Sequence, residues 1–361
     1  MNELSKLGIC LTVYNQIDLV EWNLKNILKY DRDDIEVIVS DDCSTDDIRG
    51  LCEKLDDKRI KYYRTPNNGG HDRNILFALS KCSSDYAIVL RSRDSVIPER
   101  ITEIIELIEK NNSLSYCVFS SVDESGRTNV SLSDRIYKRG FEAIEAHKRV
   151  FIHPSGNIYR LSLLNLELYR KYIDNYFDNI YSFVVHDLIR MKLATKGDFV
   201  TSSNKAWIYS ETSKSKDVAV NSGANKKSVY DPEYLYPRYR CEFEFVQKHI
   251  PKKYQYSLTG YLIKRFYKNI AYDFRLFNKN EDLKKHYNYE GRSFLPREER
   301  KKFRNYTDGL ICNSDNRTKY KIIIALETFK HIFVYPLITK CRDILVDKPF
   351  FVGLYRKYKR V

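Results

Sequence analysis

No stretch of 18 uncharged apolar residues occurs in this 361-residue chain, so no segment is expected to cross a membrane as a helix. Met1–Ile9 lacks an apolar run and carries Glu3 and Lys6, which is unlike a secretory signal. The eight cysteines form no CxxC pair and no metal-ligand spacing. Cys10, Cys43 and Cys82 fall at core or turn positions, so reduced, buried thiols are expected. No GxGxxG follows the first apolar run, and no GxxxxGK[ST] occurs anywhere. These absences argue against a dinucleotide fold and a phosphate loop. There is no repeat and no low-complexity tract. The length fits one large domain with an appendage, or two modest domains.

What is present is unevenly charged. Residues 1–215 hold 30 Lys and Arg against 32 Asp and Glu, a net of −2; residues 216–361 hold 32 against 16, a net of +16. The second part should therefore have an anionic partner.

The first 120 residues alternate between two periods. Apolar runs at Leu7–Tyr14, Ile35–Ser40, Ile60–Arg64, Tyr86–Leu90 and Tyr116–Ser120 read as strands. Helical patterns lie between them, near Asp18–Tyr30, Asp46–Leu55, Gly70–Lys81 and Pro98–Lys110. Asp18 and Glu21 have the spacing of a capping box, and Pro98 suits a first helical turn. Such alternation predicts an α/β fold with a doubly wound, mainly parallel sheet. Residues 121–215 are less regular, with a helix expected over Ser182–Lys196. Residues 216–230 read as a linker, and 231–361 as a basic, aromatic-rich helical module.

Ligands of such sheets bind at the carboxyl ends of the strands. Four polar clusters fall there: Thr12-Val13-Tyr14-Asn15, Asp41-Asp42-Cys43-Ser44-Thr45, Asn67 to Asn74, and Arg91-Ser92-Arg93-Asp94. Together they predict one site along one edge.

In this order and spacing, the clusters resemble the family 2 glycosyltransferases of the GT-A fold, which commonly read S-x-Y-N and then V-V-D-D-G-S-x-D. The resemblance covers about residues 5–215. It implies an inverting transfer of sugar from a nucleotide-diphosphate donor to a glycan hydroxyl, on a lipid carrier or free. The usual setting is bacterial surface polysaccharide assembly, such as capsule or O-antigen. It further implies that Thr12, Tyr14 and Asn15 frame the nucleotide, with Asp41 or Asp42 accepting from a base N–H and Arg73 near the phosphates. The two aspartates also read as caps of the helix near Thr45, and Arg73 as a solvated helix residue. Ser155, Gly156 and Asn157 would line the acceptor side. Asp187, in the run His186-Asp187-Leu188-Ile189-Arg190, is the implied base, where relatives often have Glu-Asp and a later Arg. An Asp simply paired with Arg190 is the plainer reading, and His186 is a second base candidate.

One departure concerns the metal. Relatives hold a divalent cation with acidic residues after the fourth strand; here Arg91 and Arg93 take two of the three places and Asp94 the last. Arginine repels a cation but suits phosphate oxygens. The histidine that relatives often carry after the last core strand is also missing from Trp207–Ser213. The expectation is therefore no required cofactor, with Arg91 and Arg93 meeting the diphosphate, and Mn or Mg bound through Asp94 as the alternative. A catalytically inactive nucleotide- or glycan-binding scaffold is the runner-up.

The C-terminal module interleaves basic runs with aromatics. Ile322–Leu345 is apolar but interrupted by charge and Pro336, which suits a helix lying on an anionic membrane surface, or one packed on the rest of the protein. No nucleic-acid-binding motif appears, so no nucleic-acid partner is expected. The expected location is cytoplasmic, peripheral at the inner face of the membrane.

Overall fold

The computed structural model describes residues 6–150, 153–177, 182–210, 234–279, 281–286, 296–311 and 316–334. The expected linker at 216–230 and the tail beyond Val334 lie outside these residues. The chain divides into two compact units, Met1–Val229 with Arg240–Leu258, and Tyr230–Tyr239 with Thr259–Val361.

The first unit is built on one mixed sheet. Its strands are β1 (Leu7–Val13), β2 (Ile35–Asp41), β3 (Ile60–Arg64), β4 (Tyr86–Arg91), β5 (Ser95–Val96), β6 (Leu114–Asp123), β7 (Thr128–Val130), β8 (Arg135–Tyr137), β9 (Asn157–Arg160) and β10 (Asp198–Tyr209). The order is β3-β2-β1-β4-β9-β6-β10-β5, with β7 on β6 and β8 on β10. β3, β2, β1 and β4 run parallel, as do β6 and β10. β9 is antiparallel to both of its neighbours. The four parallel strands confirm the predicted doubly wound core. β9 and β10 come from the stretch whose pattern read as irregular.

β1 and β2 are buried at every position, as parallel strands covered on both faces must be. The helices packed on the sheet are α1 (Ile17–Ile27), α2 (Ile48–Leu55), α3 (His71–Lys81) and α4 (Ile101–Lys110). α4 buries Ile101, Ile104, Ile105 and Ile108, one face at helical spacing. Each such side chain contributes about 1.5–3 kcal/mol by leaving water. α5 (Phe141–Arg149), α6 (Leu166–Tyr176) and α7 (Val185–Leu193) follow.

One expected helix start is corrected. Asp18 does not cap α1; it lies in the first turn, and the cap position is Gln16, left-handed at φ 63° without a side-chain cap bond. The N–H of Ile17 instead donates to Asp46 Oδ2 at 3.0 Å. A carboxylate distant in sequence has taken the role assigned to a local one.

In the second unit Tyr236, Tyr239, Phe266 and Tyr306 pack edge-on and stacked, with centroids 5.0–5.9 Å apart. The residues described there are helical, as expected.

Candidate active site at the carboxyl edge

At the end of β1, Thr12 is buried and its hydroxyl donates to the carbonyl of Leu90 at 3.1 Å, tying β1 to β4. Tyr14 stands half-buried just beyond it. Asn15 is left-handed at φ 55°, and its Oδ1 accepts from the N–H of Thr45 at 2.8 Å. The β1 and β2 ends are thus one locked surface.

The two aspartates after β2 differ. Asp41 is fully buried, and it accepts from Tyr62 Oη at 2.7 Å, Arg64 Nη1 at 2.8 Å and the N–H of Ser44 at 2.8 Å. Asp42 accepts from the N–H of Gly69 at 2.9 Å and of Gly70 at 2.8 Å, and from Thr65 Oγ1 at 3.1 Å. Burial raises the Asp42 carboxyl above its ordinary value, against the pull of those donors. Both carboxylates organise loops. Neither caps the helix after Thr45, because Asp47 caps α2 by accepting from the N–H of Gly50.

Arg73 is bound by its own domain. Its Nε donates to Asp174 at 2.8 Å, its Nη1 to the carbonyl of Gly69 and its Nη2 to the carbonyl of Phe177. It ties α3 to the end of α6.

The segment after β4 forms a knot. Asp94 is fully buried. Its Oδ2 accepts from Arg91 Nε at 2.8 Å and Ser155 Oγ at 2.5 Å, and its Oδ1 from the N–H of Ser210 at 3.1 Å. Burial opposes its charge, but Arg91 and these donors hold the carboxyl below its ordinary value. Asn23 of α1 fixes the same turn through the carbonyls of Ser92 and Asp94. Arg93 is half-buried beside it.

Ser155, Gly156 and Asn157 reach this knot. The Ser155 hydroxyl also accepts from the N–H of Arg91 at 3.1 Å. Gly156 has φ 83°, and a Cβ there would come within 2.6 Å of the Trp207 ring, so backbone and indole need its lack of a side chain. Asn157 is buried, and its amide donates to the carbonyls of His153 and Pro154.

His153 is a residue that sequence reasoning passed over. It stacks on Trp207 at 5.2 Å, meets Tyr209 edge-on at 5.0 Å, and its Nε2 lies 2.9 Å from Arg91 Nη2. Burial, and then the charge of Arg91, lowers its pKa to about 3, so the ring is neutral. Its place before Ser155-Gly156-Asn157 was the available signal.

Asp94, the residue expected to bind a cation if one is used, is engaged by the protein itself. Asp94 presents both oxygens to protein donors, one of them a guanidinium. No group of three His, Cys, Asp or Glu side chains with metal-holding geometry exists among the described residues.

Asp187 and His186 lie in the first turn of α7, both buried. Asp187 Oδ1 accepts from Arg190 Nη2 at 2.7 Å, so the pairing expected of a surface helix is present in an interior setting. His186 Nδ1 lies 2.7 Å from the Tyr159 hydroxyl. Burial and neighbouring positive charge lower its pKa to about 3, which makes it a weak base at neutral pH.

This architecture is shared with known proteins. Residues 8–169 match the model of glycosyl transferase family 2, and that stretch has a GT-A-like fold. An uncharacterized glycosyltransferase of Rickettsia bellii is 31% identical over 127 residues, 34% of this chain and 18% of that protein. The GalNAc(5)-diNAcBac-PP-undecaprenol beta-1,3-glucosyltransferase of Campylobacter jejuni is 27% identical over 214 residues, 54% of this chain and 67% of that protein. The chain thus spans less than a fifth of the first of these relatives. The crystal structure of S. aureus TarS 1–349 in complex with UDP has a TM-score of 0.50 at 18% identity, covering 76% of this chain and 72% of that one. That likeness shows the fold. Among the described residues no helix is long and apolar enough to cross a membrane.

Proposed function

We propose that this chain moves a sugar from a nucleotide-diphosphate donor to a glycan hydroxyl, with inversion and without a required metal. The observation that carries the reading is one turn, Gly69–Asp72, bonded both to Asp42 and to the start of the helix bearing Asp187. A donor end and a base end are thereby tied together. Asp187 takes the proton of the acceptor hydroxyl, held in place by Arg190. The acceptor oxygen attacks the anomeric carbon from the face opposite the diphosphate. The bond from that carbon to the diphosphate oxygen breaks, and its electron pair leaves with the nucleoside diphosphate. Arg91 and Arg93, at the end of β4, are the cations that meet that growing charge. Asp42 accepts from the base, and Tyr14 offers a ring face.

The acceptor class is a lipid-linked glycan, in keeping with the name of the Campylobacter relative. A panel of nucleotide sugars, screened by thermal shift and then by donor hydrolysis and transfer, tests the reading. A ligand at 100 times its Kd stabilises by about 2.7 kcal/mol. Binding without hydrolysis or transfer would instead identify a non-catalytic scaffold.

A second surface supports placement at an anionic membrane. In the helix Arg317–Thr328 and the turn after it, Ile322, Leu326 and Phe329 are 56%, 62% and 61% exposed. Their spacing puts them on one face. Lys319, Lys321 and Lys330 are exposed along its rim. The opposite face buries Tyr320, Ile324 and Glu327. An apolar stripe edged by lysines fits the headgroup region of acidic lipid, at about 1 kcal/mol per nearby cation. Full-length protein should sediment with phosphatidylserine vesicles at low salt and be released at high salt. The double change I322E/L326E should abolish sedimentation. Equal binding to neutral vesicles, or a dimer that this variant dissolves, would overturn the lipid assignment.

A further inference from the structure

Between them, the residues from Gly69 to Asn74 reach several parts of the first unit. Gly69 and Gly70 donate to Asp42, as described. Arg73 reaches Asp174 and Phe177. Asn74 donates to the carbonyls of Val13 and Ser40, at the carboxyl ends of β1 and β2. His71 and Asp72 face α7. Asp72 is fully buried, and its Oδ2 accepts from the N–H of Val184 at 2.8 Å and of Val185 at 3.1 Å. The His71 ring stacks on Phe183 at 4.1 Å and meets His186 edge-on at 6.0 Å, with its Nδ1 3.2 Å from Asp72 Oδ1.

The start of α7 needs such help. Its cap residue is Val184, which has no side-chain acceptor, and the first turn is buried, away from water. Helix-start N–H groups without acceptors are costly in the interior, and a carboxylate there also faces the positive end of the helix dipole. The acceptor is supplied from 112 residues earlier in the chain.

We infer that Asp72, supported by His71, is a positioning residue: it fixes the base-bearing first turn of α7 from the same turn that holds Asp42. The inference rests on the reading of Asp187 as the base. Neither Asp72 nor His71 is assigned a contact with substrate. Their effect passes through the placement of Asp187 relative to the acceptor hydroxyl. Misplacement by about 1 Å can cost on the order of a hundredfold in rate. The donor side is held by Gly69, Gly70 and Asp42 and stays in place.

The test uses full-length D72A, D72N and H71F. In D72A, kcat should fall about tenfold to a hundredfold. Nucleotide affinity and donor KM should change less than about threefold. D72N retains a carbonyl acceptor for the two N–H groups and should recover most of the lost rate. H71F keeps the stack on Phe183 but loses the bond to Asp72, and should lower kcat by a smaller factor with little change in Tm. Hydrogen exchange at Val184 and Val185 should speed up in D72A while α3 stays protected. Parallel changes in kcat and KM, or no rescue by D72N, would overturn the inference. If D72A does not fold, the H71F result and exchange in D72N decide it. If the wild type shows no transfer at all, the reading of Asp187 fails. The exchange measurement still reports whether Asp72 holds the helix start, and unchanged protection there would overturn the inference too.

Discussion

Asp42 and Asp94 are both buried aspartates just beyond a parallel strand, yet they are held in opposite ways. Asp42 is met by backbone N–H groups and a hydroxyl, neutral donors that leave its charge uncancelled. Burial accordingly pushes its carboxyl up. Asp94 is met by a guanidinium three residues away, and its carboxyl is pulled down despite burial. Asp187 likewise touches a guanidinium three residues away, that of Arg190. A carboxylate cradled by amides retains a charge that a ligand N–H can use. One paired with arginine is neutralised as a unit and serves as a fixed strut, unless a proton is brought to it. In this site the β1–β2 half has the first kind at Asp42, and the β4–α7 half has two of the second.

The comparison can be broken most severely at Asp187. Changing it to Asn should lower transfer by about 10² to 10⁴ while nucleotide affinity stays near wild type. Near-normal turnover would reduce the Asp187–Arg190 pair to a strut.

Asp94→Ala should act on stability. It strands Arg91 Nε, the Ser155 hydroxyl and the N–H of Ser210 in the interior, at a cost of about 3–5 kcal/mol. Denaturant unfolding followed by circular dichroism checks this, and a loss under about 1 kcal/mol would mean the knot rearranges freely.

Arg93→Ala should weaken donor binding and turnover about tenfold to a hundredfold, the value of a charge-assisted contact near 1.5–3 kcal/mol. Transfer by the wild type should persist in EDTA. Loss in EDTA with recovery in manganese or magnesium would show that a cation, not arginine, meets the diphosphate.

The smallest effect is in acid. Asp42 has a raised carboxyl, so its ionised form is lost first as the pH falls. Asp94 has a depressed one, so its contribution to stability is present above its ordinary value of 3.8 and disappears below it. Nucleotide affinity should therefore fade while circular dichroism still reports a folded protein, with unfolding following at lower pH. Simultaneous loss of both would erase the distinction between the two aspartates.

The core strands were legible because β1 and β2 are unbroken apolar runs, and α4 repeats isoleucine on one face. The polar clusters were legible because parallel sheets place their ligands at strand ends. β9 was not legible. It is four residues long, begins just after Gly156, and pairs antiparallel with β4 and β6. The start of α1 was misread, because Asp46 of another loop outcompeted the local Asp18. His153 and Asp72 were overlooked as site residues for a related reason. Their partners, Trp207 and Val184, lie 54 and 112 residues away.

The sequence alone determined the layering, the strand edge on which the polar clusters gather, and the presence of Arg91 and Arg93 beside Asp94 there. Those features depend on side-chain type and short periods, which the order of residues states directly. Tertiary structure decided how each charge is used. It turned Arg73 into a tie between helices, bound Asp94 to Arg91 and Ser155, and set Asp72 against the start of α7. Burial removes water as the default partner, so each polar group's role is fixed by whichever distant donor or acceptor the fold brings within about 3 Å.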